Sequence, residues 1–237
     1  MKSLKLGQRL IQNKIVLVSY LSESDLKNGQ NNFEDIEFTS DVSFLSKSTD
    51  VFTLNGSEIL SDLRKLALKK SDVNDFGEFN RCIGDDIYIE EGAELNDVTI
   101  NTKSGPVYIG KNAKILEGSL IKGPVAICEE AVIKMGAKIY GETTIGPACK
   151  VGGEVQNVVF QGYSNKGHDG YLGNSVIGEW CNLGADTNTS NLKNNYGIVK
   201  TYSYRHRELK STNLQFCGLI MGDHSKTGIN TMFNTGT

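Results

Sequence analysis

Aliphatic side chains recur every six residues at Ile109, Ile115, Ile121, Ile127, Ile133, Ile139, Ile145 and Val151, without a slip. Four residues after each comes a small or medium side chain: Ala113, Ser119, Val125, Ala131, Ala137, Thr143, Cys149 and Val155. An amphipathic helix repeats its apolar positions every three and four residues, and a half-buried strand alternates every two, so neither accounts for a strict period of six. A short strand followed by a tight corner does. Three such strands make a triangular coil of about 18 residues, with the aliphatic side chain inside and the small one easing the corner. Glycines such as Gly110, Gly136, Gly146 and Gly152 supply permissive backbone at or near those corners.

The pattern enters at Ile83-Gly84 and Ile87 to Leu95 and pauses between Gln156 and Tyr171. It resumes at Ile177-Gly178 and Leu183-Gly184, breaks for the polar stretch Asn191 to Thr212, and returns at Met221-Gly222 and Thr227-Gly228. The sequence ends in mid-repeat at Phe233-Asn234-Thr235-Gly236-Thr237, and an uncapped coil end implies either truncation or cover by a partner. The expected architecture is therefore all-β, a parallel β-helix of hexapeptide repeats over 81–237, preceded by a small α/β segment. Residues 1–80 carry no hexads, and Ser57 to Leu66 fits a short amphipathic helix capped by Asn55 or Ser57.

Composition narrows the function classes. With 25 Lys+Arg against 28 Asp+Glu the net charge is −3, so no long-range field draws nucleic acid or an anionic membrane, and an anionic substrate must be held by local charges. The longest early apolar run, Ile15-Val16-Leu17-Val18, is far short of the ~20 residues that span a bilayer, and no small-residue cleavage site follows it. Five cysteines without a CxxC pair indicate neither a disulfide framework nor a cysteine zinc site. A cytoplasmic protein is the expectation.

Where the hexads pause the chain reads Gly162-Tyr163-Ser164-Asn165-Lys166-Gly167-His168-Asp169-Gly170-Tyr171-Leu172-Gly173-Asn174, and the block Asn182-Leu183-Gly184-Ala185-Asp186-Thr187-Asn188-Thr189-Ser190-Asn191 follows. These segments resemble the acetyltransferase domain of the bifunctional N-acetylglucosamine-1-phosphate uridyltransferase/glucosamine-1-phosphate acetyltransferase, whose pattern is Lys-Ala-Gly-His-x-x-Tyr-Leu-Gly-Asp and then Asn-Ile-Gly-Ala-Gly-Thr. From His168 to Asn191 the match runs without gaps. From about Val51 onward the chain is also similar to sugar nucleotidyltransferases of Bacteroidetes, in which a nucleotidyltransferase-like domain precedes the same β-helix. The resemblance implies a left-handed coil, contrary to the usual right-handed crossover, and a trimeric, LpxA-like assembly.

By that resemblance His168 matches the general base that takes a proton from a sugar amine, and the Ala185 amide matches the oxyanion stabiliser. Asn182 and Asn191 match side chains that hold the sugar and order the site, Tyr171 a phosphate or sugar ligand, and Lys138 one of two basic phosphate-binding positions. The second basic position falls on Gln156. Acetyl-CoA, or another acyl-CoA, is the implied co-substrate, with an amino-sugar phosphate or nucleotide amino sugar as acceptor. Mg²⁺ is implied only if the chain also transfers nucleotides. No Gly-rich phosphate loop occurs in residues 1–80, which resemble only the tail of such a domain and its connecting helix around Asp50-Val51-Phe52-Thr53-Leu54-Asn55-Gly56.

The residues themselves leave other readings open. N-acylation by a thioester needs a base active near neutrality, and imidazole is the side chain poised there, yet His168 could be a polar residue of a surface loop. Tyr171 could plug a subunit interface, and Asn182 and Asn191 could belong to asparagine ladders that satisfy backbone groups at coil corners. The insertion from Asn191 to Thr212 carries Lys193, Lys200, Arg205, His206, Arg207 and Lys210, either a replacement for the missing cation or a solvated loop. Hexapeptide solenoids also carry γ-class carbonic anhydrases with three histidines on zinc, but His168, His206 and His224 include no pair about five apart, so no metal ligands are assigned. The remaining alternative to a transferase is a non-catalytic β-helix that trimerises or regulates a sugar-1-phosphate nucleotidyltransferase.

Overall fold

The computed structural model describes residues 4–29, 32–40, 42–72 and 77–237. The chain divides into two compact units, Met1–Phe44 and Leu45–Thr237. In the first, strands Gln8–Gln12 and Ile15–Ser19 form an antiparallel hairpin, and Glu34–Glu37 runs parallel to Gln8–Gln12 on its other edge. The helix Glu23–Lys27 is capped by the Ser22 hydroxyl, which accepts from the Asp25 N–H at 3.1 Å. The run Ile15-Val16-Leu17-Val18 is thus an edge strand of a small sheet. Among the described residues no helix is long and apolar enough to cross a membrane.

The second unit is a left-handed parallel β-helix. Strands stack in register one coil apart, and the hexad residues form continuous inward columns. Ile89, Ile109, Ile127 and Ile145 line one face, Ile100, Ile121 and Ile139 the second, and Leu95, Ile115, Ile133 and Val151 the third. All eight hexad residues from Ile109 to Val151 are buried, as are the eight small residues that follow them. Burial of this kind contributes on the order of 2 kcal/mol for each large aliphatic side chain, and only stacked coils can supply it.

The corner glycines act in two ways. Gly136 has φ +70°, in the left-handed region where a β-carbon is costly. Gly110 and Gly146 do not, but a β-carbon on Gly146 would stand 2.3 Å from the Gln161 carbonyl oxygen of the next coil. Glycine is needed there for close approach of backbones, not for backbone angle.

The pause in the hexads is a shortening of the coil. Glu154–Phe160 and Tyr171–Ile177 are seven-residue strands, each bending round a corner at a single left-handed residue, Asn157 at φ 54° and Asn174 at φ 48°. The coil from Val151 to its partner Lys166 takes 15 residues, where Ile133 to Val151 takes 18. The polar insertion is an antiparallel hairpin, Lys200–Ser203 with Glu208–Ser211, and parallel pairing returns at Ile220–Met221 and Met232–Phe233.

The sequence reading drew a boundary at residue 80, whereas the compact solenoid unit begins at Leu45 and includes the connecting helix. Helices Asp50–Thr53 and Asn55–Leu66 lie along the solenoid, with Phe52 buried among Val176, Val199 and Cys217. The expected caps are not used: the longer helix starts after Leu54 without a side-chain cap. Asn55 instead donates to the Glu142 carbonyl and accepts from the Thr144 hydroxyl, and Ser57 donates to the Leu54 carbonyl at 2.7 Å. Tertiary bonds to the solenoid have displaced the local cap. Lys47 reaches the Thr212 carbonyl at 2.7 Å, which ties the segment before the helices to the base of the inserted hairpin.

Candidate active site at a solenoid corner

His168 stands at the corner that follows the short strand Asn165–Lys166. Gly152 and Gly153 occupy the same corner one coil earlier, and Ala185 and Asp186 occupy it one coil later, where the Asp186 N–H donates to the Asp169 carbonyl at 3.1 Å. His168, Asp169, Gly152, Gly153 and Gly167, with Lys134 and Met135 beneath them, line an open cavity of about 260 Å³. The imidazole is exposed and makes no hydrogen bond among the described residues. The Ala185 N–H is likewise unpartnered there, while its carbonyl accepts from Asn230 at 2.8 Å. The corner therefore presents a free base and a free backbone donor on successive coils.

Tyr171 begins the next face. Its hydroxyl donates to Gln156 Oε1 at 3.1 Å and accepts from Asn191 Nδ2 at 3.0 Å, and Asn191 also reaches Asn174 Oδ1 at 2.7 Å. Burial, partly offset by the Asn191 bond, pushes the Tyr171 phenol above its ordinary pKa, so it is neutral at physiological pH. Lys138 lies on the same face two rungs earlier, with Glu154 between them in the pairing. Glu154 accepts from the Tyr140 hydroxyl at 2.6 Å, and burial followed by that bond pushes Tyr140 up to about 12.

Asn182 is placed differently. It sits on the face that leads into the His168 corner, and its Oδ1 accepts from Asn165 at 2.7 Å between paired rungs. This is the ladder arrangement, although the side-chain Nδ2 of Asn182 makes no bond among the described residues. The structure thus unites His168 with Ala185, and Tyr171 with Asn191 and Gln156. Lys138 shares only a face with Tyr171. Among the described residues no group of three His, Cys, Asp or Glu side chains is placed to share a metal ion.

Sequence reasoning did not single out Lys166. It is 1% exposed and occupies the inward slot that pairs with Val151. Its ammonium donates to the Gly152 and His168 carbonyls, each at 3.0 Å. Burial lowers its pKa to about 8, against the opposing pull of Asp169 and Asp186. A signal was present: Val151-Gly152, Lys166-Gly167 and Leu183-Gly184 repeat an aliphatic-glycine pair, with lysine in the aliphatic place.

Fold and corner together define a hexapeptide-repeat left-handed β-helix with a glycine-flanked histidine at the turn. The chain is similar to the bifunctional protein GlmU of Rippkaea orientalis, at 29% identity over 170 residues, 63% of this chain and 33% of that protein. GlmU of Wigglesworthia glossinidia brevipalpis is 31% identical over 166 residues, 60% of this chain and 34% of that protein. The protein named uncharacterized acetyltransferase YaiX of Escherichia coli is 30% identical over 151 residues, 62% of this chain and 64% of that protein. The chain spans about a third of the length of the GlmU relatives it matches. No family model matches it.

Proposed function

We propose that the chain is a cytoplasmic, trimeric acyl-CoA-dependent transferase that acetylates an amino-sugar phosphate or nucleotide amino sugar. The observation that carries this reading is the corner where the His168 imidazole and the Ala185 N–H, both unbonded among the described residues, occur on successive coils. The names of the relatives, an acetyltransferase among them, support the same class. In the reaction the acceptor nitrogen attacks the thioester carbonyl, the C–N bond forms, and His168 takes the ammonium proton. The Ala185 N–H faces the oxyanion of the tetrahedral intermediate, which collapses with cleavage of C–S and expels the CoA thiolate, to which His168 returns the proton to give the free thiol. Asn182 and Asn191 orient the sugar, and Tyr171 and Lys138 hold its phosphate side. Mg²⁺ enters only with a nucleotidyl-transfer activity, and residues 1–80 are proposed to be the tail of such a domain with its connecting helix.

A second reading, a non-catalytic trimerising or regulatory solenoid, is favoured by one observation: the Tyr171 hydroxyl is engaged on both sides by the chain's own Gln156 and Asn191. The deciding assay mixes the full chain with acetyl-CoA and a panel of amino-sugar 1-phosphates and nucleotide amino sugars while free thiol is followed. Acceptor-dependent thiol release supports the transferase; a folded trimer that releases none with any acceptor supports the scaffold.

A further inference from the structure

We propose that Lys166 is a positioning residue for His168, its buried ammonium clamping the Gly167–Gly170 corner from inside the solenoid. The catalytic meaning of this rests on the acyl-transfer reading, but the clamp itself does not. In the coils on either side the same inward slot holds Leu95, Ile115, Ile133, Val151 and Leu183, all aliphatic. A charged group buried there costs stability unless its donors are used, and two of its three are.

The carbonyls at this corner show why a donor is needed. In earlier coils the Ser119 hydroxyl serves the Leu116 and Lys134 carbonyls, at 2.7 Å and 3.0 Å. In the following coil the Thr187 hydroxyl and N–H both serve Gly184. Between them the equivalent positions are Ala137, whose N–H serves the Lys134 carbonyl at 3.2 Å, Val155, which has no hydroxyl, and the shortened coil at Gly170. Among the described residues neither the Gly152 nor the His168 carbonyl accepts from a backbone N–H, and Lys166 is the partner of both.

Gly153, at φ +72°, completes the cradle, because a β-carbon there would stand 2.9 Å from the ammonium. The charged and titratable groups around the ammonium are Asp169 of its own loop, Asp186 of the next coil, His168 itself, and Lys134 across Gly152. Since the imidazole has no hydrogen-bond partner among the described residues, its direction is set by its backbone, and that backbone is held at its carbonyl by Lys166.

The test uses Lys166→Met, which fits the aliphatic column but donates nothing, in the full chain. The fold should persist, while hydrogen exchange at the Glu154 and Asp186 amides, which donate to the Gly170 and Asp169 carbonyls of this corner, quickens roughly tenfold or more and the coils of Ile127 and Ile133 are unchanged. In acyl transfer, kcat should fall roughly 10- to 100-fold with the acyl-donor KM within about twofold, the split expected when a reacting group is misplaced. Unaltered exchange at the Glu154 and Asp186 amides in a folded variant overturns the clamp, whatever happens to kcat. If the variant does not fold, NMR of the wild type decides: the 167–170 amide signals should titrate together with the Lys166 ammonium, and signals that stay fixed through that titration overturn the proposal. A wild type that transfers no acyl group refutes the proposed function alone, because the exchange and titration readouts do not depend on it.

Discussion

Tyr171 and Asn191, twenty residues apart in sequence, meet where the Asn191 amide donates to the Tyr171 phenol oxygen at 3.0 Å. The phenol in turn donates to Gln156, which stands where the resemblance to the acetyltransferases expects a second cation. A neutral amide there gives a phosphate a hydrogen bond but no charge.

Gln156→Lys should therefore tighten a phosphorylated acceptor. A charge-assisted hydrogen bond contributes about 1.5–3 kcal/mol, less where solvent screens it, so the acceptor KM is expected to drop roughly 3- to 30-fold with kcat within about twofold. Steady-state kinetics with a sugar 1-phosphate and its unphosphorylated analogue separate the phosphate effect from a general one. An equal change for both would remove the phosphate from this face.

Ile127 is wholly buried in a column between Ile109 and Ile145. Ile127→Ala should cost about 2–5 kcal/mol, and Ile127→Asp, which buries an unpartnered carboxylate, should leave no stable central coils. Urea unfolding followed by circular dichroism measures both. An Ile127→Asp chain that melts like the wild type would contradict the register.

The solenoid was legible because hydrophobic burial in a stacked coil imposes a period, and every hexad residue from Ile109 to Val151 points inward as that period requires. Legibility failed where the period changed. Between Val151 and Lys166 the coil loses three residues, so Lys166 falls out of the six-residue count, and only its place before Gly167, like that of Val151 before Gly152, pointed to the inward column. The site divides in the same way. The spacing within the His168 to Asn191 block brought His168 and Ala185 to one corner, but Asn182 bonding to Asn165 and Tyr171 bonding to Gln156 depend on which rungs align. The caps of the helix from Asn55 to Leu66 were misjudged for a related reason, since local capping competes with distant partners that a sequence does not display.

Alkaline pH should destabilise the chain. Burial raises the thiols of Cys128, Cys149 and Cys217 to about 11 from an ordinary value of 9.0. Between about pH 9 and 11 the unfolded chain therefore binds fewer protons than the folded one at these three groups, and stability falls as pH rises. Lys166 works in the opposite sense. Its folded value, about 8, is below the ordinary 10.5, so the penalty for burying its charge is full below pH 8 and fades as pH rises towards 10.5. The three thiols outweigh it, and urea midpoints should decline from pH 9 to 11. Compared with Lys166→Met, the wild type should gain up to about 3 kcal/mol between pH 7 and 10.5. A gap that does not change with pH would mean that Lys166 titrates normally.

Assembly is a separate expectation. Exposed apolar side chains such as Leu120, Met135 and Ile229 stand on the outside of the solenoid, and lateral packing of three parallel solenoids would cover faces of this kind. Light scattering at micromolar concentration should return three times the 25.9 kDa chain mass. A stable monomer would remove the trimer from the proposal.

His168 provides the decisive test of mechanism. If its imidazole takes the amine proton at the corner shared with Ala185, His168→Ala should lower kcat by roughly 10²- to 10⁴-fold, the range that a positioned base supplies, and leave the acyl-donor KM nearly unchanged. His168→Asn keeps a polar side chain of similar size without a usable base, so it should resemble His168→Ala in rate. Neither variant should lose stability, since the side chain is exposed and makes no hydrogen bond among the described residues. Rate and melting temperature measured together distinguish the outcomes: a slow enzyme with normal melting assigns the base, whereas undiminished acyl transfer in His168→Ala would show that the proton leaves by another route.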